Sequence, residues 1–344
     1  MDQRPIAVLG ECVADAFSDT LPSRPGELAL RVLPGGGPAN TAVALARLGT
    51  PTRFLGRISH DPFGALFRTH LSDSGVDLSG VVAAEEPSTL AIATFDEAGQ
   101  ATYTFHAAAT ADWQWTPAEL GAAAVGDVAC LHTGSLALIR EPGGSAIEEL
   151  LSRVREGATV SIDPNVRPLL VDPARYQERL PHWCALTDIL RLSSDDLELL
   201  MPGVSPEAAC DAWHLAGARL VVITLGQGGA LASLDGARVT VPARTVQVVD
   251  TIGAGDSFTA GLLHRLSLAG RLGGRLDGLT LAEVADACAY AARVAALTCA
   301  TAGPNPPWDH QVSADCALAE PPAPSAPAPR SPALNQPLTQ TGPM

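Results

Sequence analysis

The stretch Asp250-Thr251-Ile252-Gly253-Ala254-Gly255-Asp256-Ser257-Phe258 is the segment from which the rest of the chain can be read. It follows the run Val246 to Val249, which predicts a strand, and opens the helical stretch Ala254 to Ala269. Small residues at a helix start leave backbone N–H groups unpaired and accessible. Such a turn binds anions through those donors and the helix dipole. Asp256 stands among the donors. A carboxylate repels phosphate, unless its task is to take a proton from a nucleophile attacking that phosphate. The residue types alone leave a second reading open, in which Asp256 merely caps a helix.

That turn matters more because all 22 basic residues of the 344 are arginine and none is lysine. A G-x-x-x-x-G-K-[ST] phosphate loop, a protein-kinase strand lysine and Schiff-base chemistry are all excluded. Phosphate handling must rely on arginine, metal and backbone N–H groups. The formal charge of -15 and the scattered arginines argue against a nucleic-acid partner. Met1 to Gly10 lacks the basic flank and long apolar stretch of a signal peptide, and no apolar run reaches the ~20 residues that span a bilayer. The seven cysteines are widely spaced with no C-x-x-C pair, so neither a disulfide framework nor a zinc site is expected. A cytoplasmic protein with reduced thiols is the expectation.

Strand-like runs at Ile6 to Leu9, Thr52 to Leu55, Val128 to Leu131, Thr159 to Ile162, Ile189 to Leu192 and Leu220 to Leu225 alternate with helical segments. Among the latter are Ala39 to Leu48, Ser145 to Arg155 and Pro206 to Leu215. The alternation predicts an α/β fold with a mostly parallel sheet covered on both faces. Two stretches break it. Around Leu28 to Leu33 and from Thr89 to Phe105 short strands follow one another, the second stretch reading as a hairpin about Asp96-Glu97-Ala98-Gly99. A small sheet of this kind is either a lid or an ordinary edge hairpin. From about Ala317 the chain turns into Pro, Ala, Ser and Gln, which cannot bury a core; residues 314–344 are expected to be a disordered tail, with the globular part ending near Ser313.

A second glycine-rich segment, Gly35-Gly36-Gly37-Pro38-Ala39-Asn40, enters the first long helix; it permits close backbone approach, and Asn40 offers a donor and an acceptor. With Asp250 to Phe258 about 210 residues later, it resembles the ribokinase-like, pfkB-type carbohydrate kinases. Gly10 to Asp15, Arg57 to Gly64, Asp163-Pro164-Asn165-Val166-Arg167-Pro168 and Thr224-Leu225-Gly226 with Gly229 are similar to further segments of that family. The wording of Asp163 to Pro168 and of Asp250 to Phe258 looks most like its fructokinase branch. The resemblance spans about Ile6 to Pro307.

The resemblance implies a three-layer α/β/α sandwich with a small β-sheet lid, in one domain over residues 1–313, the lid drawn mainly from about 10–35 and 88–108. It implies ATP-dependent phosphorylation of a primary sugar hydroxyl, most simply that of fructose, with 2-keto-3-deoxygluconate next, and a nucleoside kinase or non-catalytic sugar sensor behind. Asp256 would be the general base, and the N–H groups of Gly253, Ala254, Gly255 and Asp256 the anion hole. Asp15, Gly36, Gly37, Asn40, Phe105 and Arg167 would bind sugar. Ser193, Thr224, Gly226, Gly229 and Ala292 would meet the nucleotide. Mg²⁺ would come with ATP, Asp196 acting on it through water. Asp250, Ile252, Thr298, Thr301 and Gly303 would hold a monovalent cation such as K⁺. Two lids would pair in a homodimer.

Some positions depart from the family pattern. Its N-x-x-E is Ser193-Ser194-Asp195-Asp196 here, Ala292 replaces an asparagine, and Pro304 and Pro307 alter the cation loop. Arg167 is expected to tie two loops together rather than bind a substrate carboxylate. His106 and His132 have no metal-ligand spacing and read as loop or core residues. Trp113 and Trp115 read as packing at the base of the lid. A dinucleotide dehydrogenase would need G-x-G-x-x-G after the first strand, where Gly10-Glu11-Cys12-Val13-Ala14-Asp15 stands instead.

Overall fold

The computed structural model describes residues 4–18, 26–95, 101–121 and 125–319. Fourteen strands are found among them: β1 Ile6–Leu9, β2 Val13–Phe17, β3 Arg31–Gly35, β4 Thr52–Leu55, β5 Arg57–Ser59, β6 Val82–Ala84, β7 Thr89–Phe95, β8 Ala101–His106, β9 Cys130–Gly134, β10 Thr159–Asp163, β11 Ile189–Ser193, β12 Leu220–Thr224, β13 Ala230–Leu234 and β14 Ala237–Val241. The central sheet has the order β14-β13-β12-β11-β10-β9-β1-β4. The strands from β12 to β4 in that order run parallel, and β13 and β14 are antiparallel at one edge.

Both faces of the parallel part are covered, which is why its strands are largely apolar rather than strictly alternating. Period-two geometry sends neighbouring residues to opposite faces. Ala7 and Leu9, Leu190 and Leu192, Val221 and Ile223 enter one core. Helices α3 Ser135–Ile139, α4 Gly143–Val154, α5 Pro173–Leu186, α6 Ser194–Leu200 and α7 Pro206–Ala216 pack on that side. Ile6 and Val8, Ile189, Leu220 and Val222 enter the second core. There lie α1 Gly37–Arg47, α2 Pro62–Asp73, α8 Ala254–Leu268 and α9 Leu281–Cys299.

A separate four-stranded sheet, β3-β2-β7-β8, is built from the two stretches that interrupt the alternation. Register places Leu33, Asp15, Ala91 and Phe105 in one cross-strand row, hence on one face. Its strands are fastened where they leave the core. The buried Asp112 carboxylate accepts from Cys12 N (2.9 Å) and Thr89 Oγ1 (2.6 Å), and Asp61 accepts from Ser88 N (2.8 Å). Trp113 and Trp115 are buried beside this base, the Trp113 indole donating to the Ala107 carbonyl at 2.9 Å.

Three expectations need correction. Val246 to Val249 is irregular and pairs with no strand among the described residues; Val249 N donates to the Cys299 carbonyl, and Val248 and Val249 are exposed. The Leu28 to Leu33 strand lies later, at β3. The ordered chain also passes Ser313, since α10, Asp309–Ala319, begins before it and Val312 is buried beside Val294. The turn Asp96 to Gly99 and residues 320–344 lie outside the described residues.

Candidate active site

In an open parallel sheet, ligands bind beyond the carboxyl ends of the strands, where the strand order reverses. Here the chain adds β4 on one side of β1 and β9 to β12 on the other, so the reversal falls at β1 and β9. A cleft lies there, lined by Gly37, Pro38, Thr41, His132, Gly134, Ser135, Asp163, Asn165 and Asp256. The two glycine-rich segments, distant in the chain, therefore face each other.

Asp256 sits in the first turn of α8, whose N-cap Gly253 takes a left-handed φ of 76° and provides no side-chain cap. The left-handed region favours glycine, and a Cβ there would also lie 2.9 Å from Pro304. Asp256 is not a cap: its Oδ2 accepts from Asn40 Nδ2 at 2.9 Å, across to α1. Burial pushes its carboxyl up to about 6; the Asn40 bond opposes that, Asp163 adds to it, and Arg167 and Arg191 oppose it. Of the four N–H groups expected to form an anion hole, one is already engaged. Ala254 N–H donates to the Thr251 carbonyl at 3.2 Å, whereas Gly253, Gly255 and Asp256 N–H groups have no acceptor among the described residues.

Gly36 and Gly37 bring α1 close to this turn. Gly36 has φ of 102°, and a Cβ on it would lie 2.5 Å from the Glu11 carbonyl; one on Gly37 would lie 2.6 Å from Asn165 Nδ2 and 3.2 Å from Asp256 Oδ1. From the small sheet, Asp15 stands against Gly35, and burial raises its pKa to about 6, with Arg167 pulling it down. Phe105 is half-buried and stacked on Tyr103 with ring centroids 6.1 Å apart. Among the described residues Arg167 ties no loops together: it is exposed, its guanidinium bonds there only to the neighbouring Val166 carbonyl (3.3 Å), and its charge acts on both Asp15 and Asp256.

At the other end, Thr224 Oγ1 accepts from Arg191 Nη2 at 2.7 Å, and Gly226 and Gly229 take left-handed φ in the turn after β12. Ala292 is half-buried against the second core. Ser193 and Asp196, expected at the nucleotide and at Mg²⁺, cap α6. Ser193 Oγ and N donate to Asp196 Oδ2 (2.6 and 3.0 Å), and Val166 N donates to Asp196 Oδ1 at 2.8 Å. With Asp196 buried, these bonds hold the Asn165–Arg167 loop onto α6; three donors leave its carboxylate one further acceptor site, on Oδ1. The cation loops are adjacent: Val249 N and Asp250 N donate to the Cys299 carbonyl, and Gly303 N donates to Asp250 Oδ2 at 2.9 Å. Thr298 Oγ1 turns inward to Ser257 and Thr301 Oγ1 donates to the Thr298 and Asn305 carbonyls, so the oxygens these loops present are Asp250 and backbone carbonyls, that of Ile252 included.

Residue-type reasoning passed over Asp163, Asn165 and Arg191, and read His132 as a loop or core residue; it is buried, as a core residue is, and borders the cleft as well. His132 is bonded to Ser161 Oγ at 3.1 Å, and burial holds its ring neutral with a pKa of about 3. The signal for Arg191 was present as a charge inside an apolar strand. No isolated signal marked Asn165, whose left-handed φ of 42° appears only in the structure.

The profile of the pfkB family of carbohydrate kinases matches residues 3–311. A fructokinase of Rhizobium leguminosarum bv. trifolii is 38% identical over 260 residues, 75% of this chain and 79% of its own length. One of Klebsiella pneumoniae is 37% identical over 298 residues, 84% of this chain and 94% of its own. The crystal structure of fructokinase from Vibrio cholerae O395 with fructose, ADP and calcium bound superposes with a TM-score of 0.75 at 29% identity, covering 88% of this chain and 94% of that one. With a glycine-built anion turn facing a carboxylate at the switch point, and this match across nearly all of the described chain, the protein belongs to the pfkB family of carbohydrate kinases.

Proposed function

We propose that this protein is an ATP-dependent fructokinase, which transfers the γ-phosphoryl group of ATP to the primary hydroxyl of fructose to yield fructose 6-phosphate and ADP. The observation that carries this reading is the Asp256 carboxylate beside free N–H groups at the start of α8, held by Asn40. Asp256 takes the hydroxyl proton as the oxygen attacks phosphorus, a step worth ~10²–10⁴ in rate. The Gly253, Gly255 and Asp256 N–H groups receive the charge on the phosphoryl oxygens. Asp15 and Asn40 hold sugar hydroxyls, the Gly36–Gly37 backbone lies against the ring, and Phe105 on the same lid face as Asp15 covers it. Thr224, Gly226 and Gly229 carry the nucleotide. Closure of the small sheet excludes water, which would otherwise accept the phosphate.

Among the described residues no three His, Cys, Asp or Glu side chains cluster for a metal. Mg²⁺ needs few protein ligands when phosphates supply the rest, so the site fits an ion that arrives on ATP and neutralises its phosphates. Asp250, with carbonyls of Ile252 and residues 298–303, would hold the monovalent ion beneath the turn. Pairing of two small sheets in a homodimer and a cytoplasmic setting, in keeping with six free cysteines among the described residues, complete the reading.

The relatives named fructokinase favour fructose. The exposed Arg167 guanidinium favours a second reading, a substrate carboxylate as in 2-keto-3-deoxygluconate. Purified protein with Mg-ATP and a panel of fructose, 2-keto-3-deoxygluconate, ribose and adenosine separates them by ADP release. Highest kcat/KM with fructose is expected; release with none of the four sinks the proposal.

A further inference from the structure

Arg191 is a charged residue in a strand that has paired neighbours on both sides. Leu190 and Leu192 go to one covered face and Ile189 to the other; period two sends Arg191 to the face of α8. It is 5% exposed. Nη1 donates to Asp163 Oδ2 at 2.8 Å, Nη2 donates to Thr224 Oγ1 at 2.7 Å, and the guanidinium lies 5.6 Å from the Phe258 ring centroid. Nε has no partner among the described residues. Gly255 lies directly against it, since a Cβ there would be 2.9 Å from Nη1. One cation thus touches the ends of β10 and β12 from β11, and the first turn of α8 as well.

A buried ion pair is costly to desolvate, and well-packed apolar residues in its place are often as stable. Its location is therefore more informative than its contribution to folding. Asp163 lines the cleft beside Asp256, and Thr224 opens the nucleotide turn. Both are set by the same fork, and glycine at 255, where a Cβ would press on Nη1 at 2.9 Å, lets α8 begin against it.

We propose that Arg191 is a positioning residue for phosphoryl transfer, a cation beneath the anion hole that holds Thr224 on the nucleotide side and Asp163 on the acceptor side in one geometry about the Gly253–Asp256 turn. It rests on the reading of Asp256 as base. Arg191 exchanges nothing with the substrate. The charged groups facing Asp256 are Asp163 from β10, Arg167 after it and Arg191 from β11, with His132 from β9 neutral. Arg191 favours the Asp256 carboxylate, so its loss moves the acidic limb of the rate profile to higher pH.

The test compares Arg191→Met and Arg191→Lys with the wild-type protein, measuring kcat, KM for both substrates and kcat/KM against pH, with circular dichroism and melting as controls for folding. For Arg191→Met, kcat should fall about tenfold or more with KM for fructose changed less than about threefold, and the acidic limb should rise. Lysine keeps the charge but not the two-pronged fork; it should return the limb to its place while kcat remains about tenfold or more down. If Arg191→Met does not fold, the lysine variant decides by the same two readouts. A folded variant with kcat within about twofold of wild type, or a lower kcat that only tracks the folded fraction with the limb unmoved, overturns the proposal. Full activity in Asp256→Asn would instead remove the reading on which it rests, so the two failures are distinguishable.

Discussion

The Asn40 side-chain amide donates to Asp256 Oδ2 across 2.9 Å although the two residues stand 216 apart in the chain. The bond joins the start of α1 to the start of α8. It aligns the carboxylate while leaving Oδ1 toward Gly37 and the cleft. Asparagine both restrains the base and keeps it ionised, because a donor to the carboxylate favours its charged form.

Replacing the base should therefore separate chemistry from binding. Asp256→Asn is expected to lower kcat at least ~10²-fold while fructose still binds, as measured by calorimetry or by protection against thermal unfolding. Turnover near the wild-type value would remove Asp256 from its role.

The raised pKa of Asp256 sets the acidic side of the rate profile. The base works only when ionised, so log kcat/KM should fall with falling pH through about 6. Asn40→Ala removes the donor and should move that limb upward, besides weakening sugar binding. A downward shift would contradict the assigned direction.

Asp112 makes a separate prediction about stability. Burial pushes its carboxyl up to about 7, with the Thr89 and Cys12 bonds opposing and Glu11 adding to the rise. An acid whose folded pKa lies above its unfolded value of about 3.9 stabilises the fold fully below that lower value, and the contribution is lost as pH rises through about 7. Asp112→Asn, neutral at every pH, should flatten the fall of stability, followed through Tm, between about pH 4 and pH 8, by an amount on the order of 4 kcal/mol. Parallel wild-type and variant curves would show that Asp112 does not titrate in this range.

The cation loops can be tested without mutation. Exchange of K⁺ for tetramethylammonium at constant ionic strength should lower kcat several-fold, because Asp250 and the residue 298–303 backbone then lack the ion that steadies the turn ahead of Gly253. Unchanged rates in both salts would mean that the Asp250–Gly303 hydrogen bond alone does this work.

What the sequence determined by itself was local or nearly so. The strand and helix alternation, the two glycine-rich turns and the absence of lysine predicted a parallel sheet with covered faces and a phosphate site made of backbone. Those signals are carried by period, turn chemistry and residue type over a few neighbours. The tertiary structure decided which of the marked residues are free to act. Ser193 and Asp196 bond to each other at the start of α6, a task the sequence alone did not show; Ala254 spends its N–H on Thr251; the Arg167 guanidinium, expected to bridge loops, bonds among the described residues only to the neighbouring Val166 carbonyl. Conversely, Asn165 and Arg191 gain their places only when β10, β11 and β12 bring their carboxyl ends side by side. Hydrogen bonding explains the difference, since a donor or acceptor can serve a substrate only if the fold has not already used it, and that is settled by contacts between distant segments.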